Sequence, residues 1–286
     1  MPFVEANGGR FFYEDDDFTD PWLESDVVWI QHGVGRSGRF WQHWVPPLAQ
    51  NYRVVRRDQR GHGRSPAAEA DFKWSMAGLL DDMAAFLDAL EIDSVHYIGE
   101  SMGAVLGLAF AARWPNRLKS LTLSSMPVDL RPPRNKALNA GYVDSSEAKR
   151  DLGSDGWARA MIKSNVISGG TSAAHERWVI EEIGKMSVEA LIGIGLPLYS
   201  PEADVAELLD DVSVPTLVIA PTNSPIILLE DQVRLRDSLP NGQIVIVDGP
   251  THEVYVDRPN ECIEAWAGFV RSISSENLEM SCSERR

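Results

Sequence analysis

Ser101 stands in the pentapeptide Gly99-Glu100-Ser101-Met102-Gly103, after the apolar run Ser94–Ile98 and before a helix-forming run from Ala104 to Ala112. The two glycines allow a sharp turn without Cβ clashes, and such a turn between a strand and a helix presents the serine at its tip. A hydroxyl in that place can attack a carbonyl, but only if a neighbouring base takes its proton. Imidazole is the group best suited to that task near neutral pH, and the chain holds six histidines. His96 falls inside a strand pattern, and His43 lies beside Trp41 and Trp44 in a helical one. His175 belongs to a helical segment, while His32 and His62 sit in glycine-flanked turns. His252 follows Gly249-Pro250-Thr251, just past the apolar run Gln243–Val247, and is the expected general base.

The elements that must position these residues alternate along the chain. Short runs rich in Val and Ile predict strands near Val27–Gln31, Arg53–Arg57, Val95–Gly99, Leu118–Ser124, Thr216–Ala220 and Gln243–Val247. Phe3–Ala6 and Arg10–Tyr13, joined by Asn7-Gly8-Gly9, predict a hairpin. Helices are predicted near Trp41–Ala49, Trp74–Leu90, Gly103–Trp114, Leu229–Ser238 and Asn260–Ser274. Leu79, Leu80, Met83, Phe86, Leu87 and Leu90 recur at helical spacing and belong to a core. This alternation is the pattern of a mostly parallel sheet covered by helices on both faces.

The alternation stops between about Arg131 and Leu209, where Pro132-Pro133, Gly153 and Gly169-Gly170 punctuate helical patterns such as Glu176–Met186. The expected organisation is therefore a first core part, 1–130, a helical cap over 131–209, a second core part, 210–275, and a frayed tail over 276–286. Such a cap would supply much of a substrate pocket and exclude water.

With 44% hydrophobic and 24% charged residues, the chain has the mix of an ordinary globular protein with a large core. A formal charge of -15 argues against nucleic acid or an anionic membrane as partner. No apolar run reaches membrane-spanning length, and the first residues lack the pattern of a secretory signal. Two cysteines, Cys262 and Cys282, do not form a disulfide framework, so a reducing cytoplasm is expected. Histidine and cysteine are too scattered for metal-ligand spacing, and no cofactor is expected. The expected partner is a small-molecule substrate, with self-association as a homodimer left open.

Several segments taken in order carry a resemblance. His32-Gly33-Val34-Gly35, Asp58-Gln59-Arg60-Gly61-His62-Gly63-Arg64-Ser65, the pentapeptide, Val214–Ala220 and Gly249-Pro250-Thr251-His252 span nearly the whole chain. Together they resemble the α/β-hydrolase superfamily, and within it the lidded group of enol-lactonases, carbon–carbon bond hydrolases, cofactor-free haloperoxidases and small esterases. The resemblance implies a mostly parallel eight-stranded sheet flanked by helices, with a helical lid insertion. It makes Ser101 the nucleophile and His252 the base. The backbone N–H groups of Val34 and Met102 become the oxyanion donors. Arg36, with Arg39 nearby, is a candidate partner for a substrate carboxylate, and Trp157 and Trp178 are candidate pocket walls.

One position departs from that pattern. Relatives place an aspartate after the strand represented here by Thr216–Ala220, whereas this chain reads Pro221-Thr222-Asn223-Ser224-Pro225. Ser224 occupies the acid position and cannot carry the charge that stabilises an imidazolium. Some members place the acid after the preceding strand, which makes Asp129 the first candidate, with Glu230 or no acid at all as alternatives. Asp257 is expected to pair with Arg258 or solvent. The function implied is hydrolysis of an ester, lactone or similarly activated carbonyl through an acyl-serine. A carbon–carbon bond hydrolase, a cofactor-free dioxygenase and a non-catalytic receptor on the same scaffold are the alternatives.

Overall fold

Runs of β-branched and aromatic residues bury both faces of a sheet only when helices cover both sides. The computed structural model, which describes residues 2–69, 72–130, 134–199 and 205–283, has that arrangement. Its strands are β1 (Phe3–Ala6), β2 (Gly9–Asp16), β3 (Val27–Gln31), β4 (Arg53–Arg57), β5 (Val95–Glu100), β6 (Leu118–Ser124), β7 (Thr216–Pro221) and β8 (Gly242–Val247). They form one 8-stranded sheet in the order β1-β2-β4-β3-β5-β6-β7-β8. β1 and β2 pair antiparallel through the turn at Asn7-Gly8, and β2 pairs antiparallel with β4. All remaining neighbours are parallel, as the alternating sequence requires.

The helices are α1 (Val45–Leu48), α2 (Met76–Ala89), α3 (Met102–Arg113), α4 (Ser145–Lys163), α5 (Ala173–Gly184), α6 (Val188–Gly193), α7 (Val205–Leu208), α8 (Leu229–Ser238), α9 (Val254–Asp257) and α10 (Pro259–Ser283). Side chains on successive strand residues alternate between two cores. Trp29, Val55, Tyr97, Leu121 and Val218 point to one face, where Phe86 of α2 and Phe110 of α3 meet them. Val28, Val54, Ile98, Leu217 and Ile219 point to the other, against Leu48 of α1, Tyr255 of α9 and Trp266 of α10. Each fully buried Phe or Leu there contributes about 1.5–3 kcal/mol.

Between β6 and β7 the described residues form helices only, from a short 3-10 turn at Arg134–Asn139 through α4, α5, α6 and α7. Asp144, Ser172 and Ser187 cap α4, α5 and α6 by accepting backbone N–H groups in the first turn. Gly153, at φ 68°, interrupts α4 with a kink. Trp157, Met161, Val179, Ile183 and Leu191 of these helices join the same core as Ile98 and Ile219, which seats the insertion on the body.

Two predicted elements differ. The helix expected over Trp41–Ala49 is a 3-10 turn, Gly38–Trp41, followed by the single turn of α1. Pro46 and Pro47 are tolerated at a helix start but cannot continue an earlier helix, because they lack the N–H it needs. α10 runs on to Ser283, through most of the segment expected to fray, while 284–286 lie outside the described residues.

Candidate active site

β5 delivers its last residue, Glu100, to the C-terminal edge of the sheet, and the chain turns there into α3. The turn is tight. A Cβ on Gly99 would lie 2.3 Å from the Gly103 carbonyl oxygen, and one on Gly103 would lie 2.4 Å from that of Gln31. Only hydrogen fits in either place. Ser101 takes φ 51° and ψ -117°, a conformation that costs a residue with a side chain about 1–3 kcal/mol. The Ser101 N–H donates to the Ser124 carbonyl at 3.0 Å, and its own carbonyl accepts from Ala104 and Val105. The hydroxyl does not cap the helix.

Val34, Glu100, Ser101, Trp157, His252 and Glu253 line one cavity of about 290 Å³ between the sheet edge and the helical insertion. Val34, in the turn after β3, and Met102, the first residue of α3, approach the elbow from two sides. Among the described residues, neither backbone N–H donates to a protein acceptor.

His252 lies between β8 and α9, buried, with its N–H donating to the Asn165 carbonyl at 3.2 Å. Burial, reinforced by the positive Arg36, lowers the imidazole to about 3, so the ring is neutral at pH 7. Its Nε2 is buried with no hydrogen-bond partner among the described residues. Its Nδ1 meets Ser224 Oγ at 3.1 Å. That oxygen also accepts the N–H groups of Ile226 and Ile227, at 3.3 and 3.2 Å. A carboxylate only accepts, and so holds the ring proton on Nδ1 and leaves Nε2 basic. A hydroxyl can donate or accept, so Ser224 orients the ring without fixing its tautomer.

Ser224, not Asp129, is therefore the residue at Nδ1, and Asp129 does not line the cavity. Glu230 is exposed on the first turn of α8, away from the cavity. Among the described residues, the carboxylate nearest the ring is Glu100, whose Oε1 is 3.7 Å from Nε2 and whose Oε2 accepts the Gly33 N–H at 3.1 Å. Burial and the negative Glu253 push Glu100 well above the usual carboxylate range, against the pull of Arg36. As the central residue of the pentapeptide's first half, Glu100 was visible in the sequence, but nothing there indicated that its side chain turns toward the histidine.

Two expected pocket residues have other employment. Arg36 is buried and directs its guanidinium at Glu253, with Nε to Oε1 at 2.6 Å and Nη2 to Oε2 at 2.5 Å. It is not part of the cavity wall; it ties the turn after β3 to the histidine loop. Trp178 packs on Phe40, at 4.7 Å between ring centroids, and faces a separate surface depression with Gln42, His43 and His175. Its place on the outer side of α5 keeps it from the cavity. Trp157 does line the cavity. Asp257 accepts the Ser168 hydroxyl at 2.6 Å and the Thr251 hydroxyl at 2.5 Å, rather than pairing its carboxylate with Arg258.

Three other histidines, His32, His62 and His96, are buried and hold structural hydrogen bonds. Nδ1 of His32 donates to the Gly33 carbonyl at 2.8 Å, and its Nε2 accepts the Gln59 N–H at 3.0 Å. His62 Nδ1 donates to the Arg60 carbonyl at 2.9 Å, and burial lowers this ring to about 4. His96, within β5, bonds Ser120. Among the described residues no cluster of His, Cys, Asp and Glu could hold a metal ion, and no helix is long and apolar enough to cross a membrane.

Comparison with known proteins agrees with this architecture. Residues 26–165 match the family model described as alpha/beta hydrolase fold, and residues 195–282 match one described as TAP-like protein. 3-oxoadipate enol-lactonase 1 of Acinetobacter baylyi is 26% identical over 262 residues, covering 86% of this chain and 89% of that one. The crystal structure of the enol-lactonase from Burkholderia xenovorans LB400 superposes with a TM-score of 0.76 at 20% identity, covering 94% of this chain and 100% of the other. A thermophilic esterase from Thermogutta terrifontis gives a TM-score of 0.75 at 21% identity, covering 95% and 98%. The chain belongs to the α/β-hydrolase superfamily, and it is a hydrolase.

Proposed function

We infer that this hydrolase opens an ester or lactone of a small organic molecule through an acyl-serine intermediate. Ser101 Oγ attacks the carbonyl carbon while His252 Nε2 takes the hydroxyl proton. The negative charge that develops on the carbonyl oxygen is met by the N–H groups of Val34 and Met102. The carbon–oxygen bond then breaks, and His252 returns its proton to the departing oxygen. Water, deprotonated by the same nitrogen, attacks the acyl-serine and releases the acid. Ser101 and His252 face one cavity without a mutual hydrogen bond, a contact that commonly tightens only with substrate in place.

The observation that carries this reading is the strained Ser101 backbone, held with its hydroxyl uncommitted on the cavity that the buried His252 also lines. Strain at a serine that neither caps its helix nor packs in the core has a use if the hydroxyl must be presented. Ser224 narrows the substrate. With a neutral group at Nδ1, the imidazolium formed during proton transfer lacks the usual charged support there. Good leaving groups, such as the enolate of an enol ester or enol lactone, reduce that demand. Simple amides do not.

The test is labelling by a fluorophosphonate probe followed by peptide mapping, alongside a panel of p-nitrophenyl esters, enol lactones and vinylogous diketones. Modification at Ser101 with turnover of esters or lactones is the expected result. An unlabelled serine, or turnover confined to the diketones, would refute the reading.

A further inference from the structure

We propose that Lys149 anchors an anionic carboxylate of the substrate, so that the enzyme acts on acid-bearing esters or lactones in preference to neutral ones. The proposal rests on the hydrolase reading of the cavity given above.

Lys149 belongs to α4 of the helical insertion, is only 5% exposed, and lines the same cavity as Ser101 and His252. Its ammonium donates one hydrogen bond, to the Leu191 carbonyl in α6 at 3.0 Å, and lies 5.3 Å from the centre of the Trp157 ring. An ammonium has three donors. Among the described residues no carboxylate lies within ion-pair distance of this one. A buried cation without a counter-ion is costly, and folded proteins rarely keep one without a reason.

The acids that share the cavity are committed elsewhere. Arg36 neutralises Glu253, and Glu100 bonds the Gly33 N–H beside His252. Asp144 is exposed and caps α4 through the N–H groups of Ser146 and Glu147. Burial lowers Lys149 to about 8, against the pull of Asp144, which leaves it charged at pH 7. Leu130, Leu138, Val166, Ile167 and Ile226 supply much of the remaining wall. A ligand that fills this space therefore needs an apolar body, a carbonyl toward Ser101 and one negative charge toward Lys149. A single ammonium suits a monoanion, because it offers one compensating charge.

Binding and turnover test this separately. In the Ser101→Ala protein, calorimetry should detect the pentanoate anion, and adding Lys149→Gln should weaken it by about tenfold or more, the usual worth of a hydrogen bond to a charged group. In the active enzyme, kcat/KM is compared for the p-nitrophenyl monoester of glutaric acid and for p-nitrophenyl pentanoate. The acidic ester should be preferred, and Lys149→Gln should cut that preference by about tenfold, chiefly through KM, with Lys149→Arg restoring part of it. If Lys149 only joins α4 to α6, both esters suffer alike and the ratio stays fixed, which overturns the proposal. Pentanoate binding that is indifferent to the Lys149 substitution overturns it as well. If the unsubstituted enzyme turns over neither ester while pentanoate binding still depends on Lys149, the acyl-serine reading fails and the anion site stands.

Discussion

Ser224 Oγ sits 3.1 Å from Nδ1 of His252, and the same oxygen accepts the N–H groups of Ile226 and Ile227. The loop after β7 thus presents two backbone donors around the atom that touches the imidazole. Those donors would serve a carboxylate equally well.

Replacing Ser224 by Asp should therefore be accommodated and should raise kcat on a p-nitrophenyl ester by about tenfold or more, since a carboxylate at Nδ1 fixes the tautomer and supports the imidazolium. Steady-state kinetics checks it. An unchanged or lower kcat, in a protein with the parental melting temperature, would mean that the ring is already optimally held.

The pH profile follows from the burial of the same ring. Burial and Arg36 lower His252 to about 3, so the basic form persists as pH falls below the 6.5 of an ordinary imidazole. For a neutral ester, kcat/KM should hold its pH 7 value down to about pH 5. In the Ser224→Asp variant the added negative charge favours the imidazolium, so the acid limb should move upward. A wild-type limb centred near 6.5 would contradict the geometry.

Ser101→Ala and His252→Ala should each lower kcat by about three orders of magnitude or more, whereas Asp129→Asn should leave it within about threefold, because Asp129 is not at the ring or on the cavity wall. A loss from Asp129→Asn comparable to that from His252→Ala would return the acid role to Asp129.

Glu100→Gln keeps an acceptor for the Gly33 N–H but removes the carboxylate 3.7 Å from Nε2. Because burial and Glu253 favour the protonated form of Glu100, kcat should change by less than about threefold, and a fall of about tenfold or more with KM little changed would mean that an ionised Glu100 stabilises the imidazolium. A matching loss of thermal stability without a kcat effect would make Glu100 purely a brace for the turn at Gly33.

Arg36→Met should destabilise the fold by about 3 kcal/mol or more, since it strands the buried Glu253 carboxylate. Thermal denaturation at pH 7 measures it. A drop below about 1 kcal/mol would mean that other donors take over the place of the guanidinium at Glu253.

Much of the architecture was legible because local signals and tertiary structure agree. β3, β4 and β6, with α8, appear at the predicted limits, each being a short apolar or amphipathic run with clear punctuation. The Trp41–Ala49 region was misjudged because its apolar side chains suited a helix while Pro46-Pro47 did not. Within the candidate site, turn glycines and strand ends pointed to Ser101 and His252, which line one cavity. Arg36 was not, because its partner Glu253 is 217 positions away and no local pattern announces the pair. Lys149 was equally silent: one lysine in a polar helix reads as a solvated charge until the fold closes over it.

One seam in the molecule has mechanistic weight. The stretch after α4 is stitched to the histidine loop three times: His252 N–H to the Asn165 carbonyl at 3.2 Å, Ser168 N–H to Glu253 at 2.8 Å and Ser168 hydroxyl to Asp257 at 2.6 Å. Any displacement that broke this seam would also unseat His252. The stretch at Asn165–Ser168 and the loop that carries the imidazole are therefore held as one unit, so the insertion helps to set the position of His252 as well as covering the cavity.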